Sequence, residues 1–107
     1  MKTDRLKQLL ALLQNQPDDE FLHFAVAKEY ESLGDDLTAQ TYYERLLTLN
    51  PLYVGAYYHL GKLLERAGDL EQAAMLYRKG MTVAQQLNDP LNFRELAAAL
   101  NEISDEE

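Results

Sequence analysis

The chain lacks cysteine altogether, which excludes disulfide bonds, thiolate metal sites and cysteine nucleophiles. Its 107 residues include only three prolines and five glycines. Positive charge is also scarce, because ten Lys and Arg stand against eighteen Asp and Glu, giving a net charge of −8. The electrostatic field of this negative charge repels phosphate backbones, so we expect no nucleic acid partner. No apolar run approaches the roughly 18 residues of a membrane span, so we expect no membrane partner either.

The first residues do not have the pattern of a secretory signal peptide. The apolar stretch 9–13 is short, polar residues flank it on both sides, and no small-residue cleavage site follows it. We therefore expect a cytoplasmic, unprocessed chain. Its length suits one domain, and its 47% of hydrophobic residues suits a globular protein.

Helix is the secondary structure that the sequence favours. Ala, Leu, Gln, Glu and Lys are abundant, and the first segment places leucine at the spacing of one helix face, at positions 6, 9, 10 and 13. Prolines and Gly-Asp pairs divide the chain into six predicted helices, at about 3–15, 20–33, 37–49, 54–67, 70–87 and 91–103. The acidic pairs Asp18-Asp19 and Asp35-Asp36 lie at helix starts, so we interpret them as caps rather than as catalytic acids.

The central sequence repeats after 34 residues. When residues 20–53 are laid over 54–87, seven positions are identical, and they lie on both sides of a shared Gly-Asp turn. The identical pairs are Lys28 with Lys62, Glu31 with Glu65, Gly34-Asp35 with Gly68-Asp69, Ala39 with Ala73, Tyr43 with Tyr77 and Thr48 with Thr82. This self-similarity indicates two copies of one helix–turn–helix unit.

These residues resemble the tetratricopeptide repeat, a helix–turn–helix unit of about 34 residues. The resemblance implies an all-α, right-handed superhelix of antiparallel helix pairs. We divide the single domain into a half repeat at 1–17, complete repeats at 20–53 and 54–87, a closing helix at 90–103 that begins five residues late, and a frayed tail at 104–107. Three residues depart from the family pattern, which has a bulky apolar residue, alanine and proline at those positions: His23, Gly80 and Gln85.

Small residues lie where the two helices of each pair would cross, at Ala27, Ala39, Gly61 and Ala73. We expect Tyr43 and Tyr77 to fill the space between successive pairs. We also expect Gly80 to let the closing helix approach closely, although glycine inside a helix costs about 1 kcal/mol relative to alanine.

In the family that the chain resembles, the first helices line a concave groove. Carried onto this sequence, the resemblance places nine candidate binding residues there: Phe21, Phe24, Lys28, Glu31, Tyr58, Lys62, Glu65, Arg66 and Arg94. Each of the two lysines follows an aromatic residue by one helical turn, an arrangement that suits an acidic peptide. An equally good alternative is that the lysines pair with Glu31 and Glu65 on the helix surface. The asparagines of the family's carboxylate clamp are absent, so we do not expect that mode of binding.

The resemblance implies a non-catalytic module that binds another protein, as a peptide or helix, with an acidic partner favoured. The alternative is a structural subunit that self-associates into a homo-oligomer, either end to end or through the aromatic groove. No catalytic or phosphate-binding motif is present, so we expect neither enzyme activity nor a cofactor. A metal site of His23 and His59 with Glu20 or Glu31 is conceivable, but we interpret both histidines as helix-packing residues and expect no metal.

Overall fold

The computed structural model describes residues 3–104, and the only regular elements in this part of the chain are six α-helices. They are α1 (Asp4–Asn15), α2 (Glu20–Ser32), α3 (Asp36–Leu49), α4 (Val54–Arg66), α5 (Leu70–Gln86) and α6 (Pro90–Ser104). The all-α prediction and the helix number are confirmed. Ser104 belongs to α6, and the rest of the predicted tail, 105–107, lies outside the described residues. None of the helices within 3–104 combines the length and the apolar character needed to cross a bilayer.

Most helices begin at a polar side chain that caps the first turn. The hydroxyl of Thr3 accepts a hydrogen bond from the backbone N–H of Leu6, and the carboxylates of Asp19, Asp35, Asp69 and Asp89 accept the equivalent bond three residues ahead. Each cap satisfies an amide that has no partner within the helix, a contribution of about 1 kcal/mol. The interpretation of Asp19 and Asp35 as caps is therefore confirmed, and Asp36 lies in the first turn of α3.

Three helices end in a residue with left-handed backbone conformation. Gly34 and Gly68 have φ angles of 80° and 84°, and Asn88 takes the same role after α5 with a φ of 54°. In each case the next residue, an aspartate, donates its N–H to a carbonyl five residues back, at 2.9 Å. This is the hydrogen bond of a Schellman motif. Asparagine is one of the few residues other than glycine that tolerate this conformation, so the delayed start of α6 still uses the same turn chemistry.

The helices form two compact units, Met1–Pro51 and Leu52–Glu107. In the first unit, leucines of α1 and residues of α2 form an apolar cluster of Leu6, Leu9, Leu13, Leu22, Ala25 and Val26, with Leu10, Tyr30 and Tyr42 packed against it. The second helix of the pair, α3, buries Ala39, Tyr43 and Leu46 completely. Burial of one face of each helix is what stabilises helices this short.

In the second unit, two glycines mark the places where helices come closest. A Cβ atom at Gly61 of α4 would overlap the ring of Tyr77 of α5. A Cβ atom at Gly80 of α5 would lie 2.8 Å from the Cβ of Tyr57 and 2.9 Å from Cδ1 of Leu96 on α6. The expectation that Gly80 admits the closing helix is therefore confirmed, and Leu96 and Ala99 are the buried residues of that helix.

The two repeated tyrosines contact the first helix of their own pair. Tyr77 lies against Gly61 of α4, and the ring centre of Tyr43 lies 6.0 Å from that of Phe24 on α2, with the rings edge to face. These contacts add to the predicted role of the two rings between successive pairs, which stays a prediction.

Candidate functional site

A tyrosine–glutamate hydrogen bond closes each helix pair. The hydroxyl of Tyr43 donates to Oε1 of Glu31 at 2.5 Å, and that of Tyr77 donates to Oε1 of Glu65 at 2.8 Å. Burial, followed by the bond to Glu65, raises the pKa of Tyr77. Two of the predicted groove residues, Glu31 and Glu65, therefore hold the second helix of a pair against the first. The sequence contains a signal for this bond, because the glutamate and the tyrosine recur in both copies with the same separation of 12 positions.

The predicted aromatic–lysine pairs form on both first helices. The Nζ atom of Lys28 lies 5.9 Å from the centre of the Phe24 ring, and that of Lys62 lies 5.6 Å from the centre of the Tyr58 ring. These distances fall within the range of cation–π contacts. The one-turn spacing read from the sequence therefore brings each ammonium over its aromatic ring.

Lys62 is also bound to two carboxylates. Its Nζ atom lies 3.2 Å from Glu65 and 3.5 Å from Glu102, which belongs to α6. Burial opposes the charge of Lys62, but the hydrogen bond and charge of Glu65, together with Tyr58 and Glu102, outweigh it and raise the pKa. The helix-surface ion pair predicted as one alternative is therefore present in the second copy, and Lys62 links α4 to α6.

Lys28 has a different environment, although it is the register equivalent of Lys62. Its side chain is exposed, and within residues 3–104 it forms no ion pair. Its described contact is the ring of Phe24. Of the two repeated cations, Lys28 is thus the one whose charge is available to an external carboxylate.

The other candidate residues divide between the helices as the sequence predicts. Phe21 of α2 is 63% exposed, three residues before the half-buried Phe24. Arg66 ends α4 and is exposed, and Arg94 of α6 is exposed as well. Phe21, Phe24, Lys28 and Glu31 therefore share α2, and Tyr58, Lys62, Glu65 and Arg66 share α4.

The two histidines have surroundings typical of packing residues. His23 is buried, its Nδ1 atom lies 3.4 Å from the carbonyl oxygen of Asp19, and its ring is tilted against Tyr42. Burial, with a smaller effect of Arg45, lowers its pKa. His59 sets its ring edge-on to Tyr58. In the described part of the chain, no three His, Asp or Glu side chains are arranged to hold a metal ion.

Comparison with known proteins identifies the repeat. Two tetratricopeptide repeat models match the chain, at residues 22–51 and 42–75. The solution structure of a tetratricopeptide repeat domain protein from Salinibacter ruber is 34% identical, covers 85% of this chain and 92% of that chain, and has a TM-score of 0.81. The chain belongs to the tetratricopeptide repeat family.

Other similar proteins extend the fold comparison. The solution structure of a protein from Bordetella parapertussis is 27% identical, covers 99% of this chain and 91% of that chain, and has a TM-score of 0.84. The type III secretion translocator chaperone SycD of Yersinia enterocolitica shares the fold at 14% identity, with a TM-score of 0.88 over 96% of this chain and 72% of that chain.

A curated relative, the uncharacterized protein ycf37 of Pyropia yezoensis, is 39% identical over 54 residues. The matched segment is 50% of this chain and 30% of that protein.

Tetratricopeptide repeats of this kind indicate a protein-interaction module, and the family is generally non-catalytic.

Proposed function

We propose that the chain binds an acidic segment of a partner protein, with Lys28 as the charged contact and Phe21 as the apolar one. The observation that carries the proposal is the difference between the two repeated lysines. Lys62 is already held by Glu65 and Glu102, whereas Lys28 keeps an available ammonium over the Phe24 ring. A partner carboxylate would supply for Lys28 what Glu102 supplies for Lys62.

The energies assign separate roles to the two contacts. An exposed ion pair contributes about 0–1 kcal/mol, so Lys28 alone gives little affinity. Full burial of a phenylalanine side chain contributes about 1.5–3 kcal/mol, so covering the exposed ring of Phe21 would supply more. We therefore assign affinity mainly to the aromatic surface and the preference for acidic partners to Lys28.

The other candidate residues have smaller roles in this proposal. Tyr58, Arg66 and Arg94 belong to the second unit, where an aromatic ring and two exposed cations on α4 and α6 suit the same class of ligand by themselves. Glu31 and Glu65 act within the helix pairs, since their carboxylates accept the tyrosine hydroxyls. The net charge of −8 opposes an acidic ligand at long range, so the attraction in this proposal has to come from the local contact with Lys28.

The test uses two labelled peptides of equal length, one alternating Glu and Leu and one alternating Gln and Leu, titrated by fluorescence anisotropy. We expect the acidic peptide to bind more tightly, and Lys28→Glu to weaken it several-fold. Lys79→Glu is the matched control, since Lys79 is an exposed lysine on the second helix α5. Lys62→Gln should change binding much less than Lys28→Gln. Equal binding of both peptides, or acidic binding unchanged by Lys28→Glu, contradicts the proposal.

Self-association is the second candidate, because one observation favours it specifically. Leu12 of α1 is 47% exposed, whereas Leu46, 34 positions later on α3, is completely buried. A leucine at a position that the repeat normally covers indicates a surface suited to another helix.

A further inference from the structure

A cleft of about 430 Å³ opens on the surface of the first unit, beside α3. Its size suits a ligand as small as a single amino acid. None of the nine candidate groove residues lines it, so the cleft is distinct from the peptide site proposed above. Among the residues that line it are Pro17, His23, Thr41, Glu44, Arg45 and Leu49.

The wall of the cleft includes one ring nitrogen of a buried histidine. His23 is 5% exposed, and its Nδ1 atom lies 3.4 Å from the carbonyl oxygen of Asp19. Because a carbonyl oxygen can only accept, this contact places the proton of the neutral ring on Nδ1 and leaves the lone pair on Nε2. Within residues 3–104 Nε2 has no hydrogen-bond partner, and no side-chain nitrogen or oxygen shielded from solvent lacks one. Nε2 is therefore an acceptor that a ligand in the cleft can reach.

Arg45 supplies a positive charge on the same wall. Its side chain is exposed, and its guanidinium carbon lies 5.0 Å from the centre of the Tyr42 ring. Between residues 3 and 104 it forms no ion pair. Because the ring contact restricts the guanidinium, less conformational freedom is lost when its N–H groups bind a ligand. The planar group matches the two oxygens of a carboxylate.

Glu44 supplies a negative charge. Its carboxylate is exposed and accepts a hydrogen bond from Nε2 of Gln40 at 3.0 Å, which leaves further lone pairs available. Like Arg45, it forms no ion pair in the described part of the chain. The cleft thus combines one cation, one anion and one neutral acceptor.

This set of side chains belongs to the first copy of the repeat alone. The second copy forms the same kind of helix pair with two cations and no acid at the equivalent positions. The repeat fold therefore does not require a histidine, a glutamate and an arginine there. The corresponding residues, 34 positions later, are Tyr57, Arg78 and Lys79.

We propose that the cleft binds a free α-amino acid with an apolar side chain, through both charged groups of the ligand. The carboxylate pairs with the guanidinium of Arg45. The ammonium donates to Nε2 of His23 and to the carboxylate of Glu44. The apolar side chain covers Pro17 and Leu49, of which Leu49 is 39% exposed.

The charges of the wall favour a zwitterion over a ligand of one sign. An anion bound to Arg45 would also meet Glu44, and a cation bound to Glu44 would also meet Arg45, so each would be repelled by one of the two. A zwitterion pairs with both. Because its net charge is zero, it is not repelled at long range by the net charge of −8 on the chain.

The test titrates three compounds into the isotope-labelled chain at neutral pH and constant physiological salt, followed by NMR chemical shifts. Leucine has both charged groups, leucinamide lacks the carboxylate, and N-acetylleucine lacks the ammonium. Leucine should bind several-fold more tightly than either derivative and should shift the backbone amides of 17–23 and 41–49 most. The constant salt screens the attraction of the cationic derivative, and the repulsion of the anionic one, by the whole chain.

Variants that remove one group each assign the contacts. Arg45→Gln should abolish the preference for leucine over leucinamide and keep the preference over N-acetylleucine. Glu44→Gln and His23→Phe should each reduce the preference over N-acetylleucine and keep the preference over leucinamide. Lys79→Gln, at the position of the second copy that corresponds to Arg45, is the matched control and should bind like wild type. Circular dichroism establishes that the variants are folded.

Three results would overturn the proposal: no leucine-induced shifts around the cleft, equal binding of the three compounds, or preferences that neither Arg45→Gln nor Glu44→Gln changes. The inference does not depend on the acidic-peptide proposal, which uses Lys28 and Phe21. A chain that binds the acidic peptide but not leucine would disprove this inference alone, and the reverse result would disprove the peptide proposal alone.

Discussion

Tyr77 lies with its ring directly against the backbone of Gly61, on the facing helix of the same pair. A Cβ atom at position 61 would overlap ring carbons of the tyrosine. Because Tyr77 is completely buried and its hydroxyl is bound to Glu65 at 2.8 Å, the ring cannot move aside without losing that bond. The glycine and the tyrosine therefore determine together how closely α4 and α5 approach.

Enlarging residue 61 tests this packing. Gly61→Leu should lower the free energy of unfolding by about 1–3 kcal/mol, because overpacking forces either the ring or the helix to shift. Gly61→Ala should also destabilise the fold, but less than leucine, because its Cβ atom alone meets the Tyr77 ring while alanine favours helix by about 1 kcal/mol over glycine. Urea unfolding followed by circular dichroism measures both. A leucine variant as stable as wild type would falsify the packing argument.

Position 80 tests the attachment of the closing helix. Gly80→Leu should lower the melting temperature by several degrees, because the side chain would meet Tyr57 and Leu96 at the junction with α6. Lys79→Leu, at the exposed neighbouring position of α5, is the control and should melt close to wild type. If the two variants melt alike, Gly80 has no special role at the junction.

The relative importance of apolar and charged contacts on α6 is also testable. Leu96 is 1% exposed, so Leu96→Ala should cost about 2–5 kcal/mol in unfolding free energy. Glu102 pairs with Lys62, but its side chain is 71% exposed, so Glu102→Gln should cost less than about 1 kcal/mol. Chemical unfolding at low and high salt separates the two costs, because only the cost of Glu102→Gln in unfolding free energy should depend on salt. The reverse order of costs would show that the ion pair holds the helix.

The buried His23 should make stability depend on pH. Its pKa is lowered from 6.5 in the folded chain, so the folded state binds fewer protons than the unfolded state as the pH falls through this range. The stability that neutral His23 contributes is therefore present above about pH 6.5 and is lost on acidification. The ring of His23 is tilted against that of Tyr42, and the charges that act on His23 are those of Arg45, Asp19 and Asp18.

The control for this effect is His23→Leu, which places an apolar residue where the family pattern has one. Its unfolding free energy should decline less than that of wild type between pH 7 and pH 5, because the titrating group is gone. If the unfolding free energies of the two proteins fall in parallel as the pH is lowered, the acid sensitivity belongs to groups other than His23.

Much of the fold could be predicted from the sequence because the local signals agree. Gly34-Asp35 and Gly68-Asp69 combine a left-handed C-terminal residue with a capping aspartate, and both turns occur where expected. The spacing of Phe24 and Lys28 likewise depends only on helix geometry, so their contact followed from the sequence. Periodicity and capping are properties of neighbouring residues, which a single sequence contains.

The remaining features depend on contacts between distant residues. Lys28 and Lys62 look identical in the repeat, yet Glu102, forty positions away, binds only Lys62. The bond from Asn50 to Glu20, at 2.9 Å, joins the end of α3 to the start of α2 and has no counterpart in the second copy, where alanine occupies position 84. Such pairings require the helices to be placed first, so they could not be read from periodicity.

The left-handed turns have a consequence for chemical synthesis of the chain. Gly34 and Gly68 have positive φ angles, and beyond the adjacent residues of the chain no heavy atom lies within 4 Å of where a Cβ would be built at either position. The constraint at these sites is therefore chirality rather than space. A mirror-image residue such as D-alanine adopts this backbone conformation without strain, and it would stiffen the unfolded chain where glycine leaves it free.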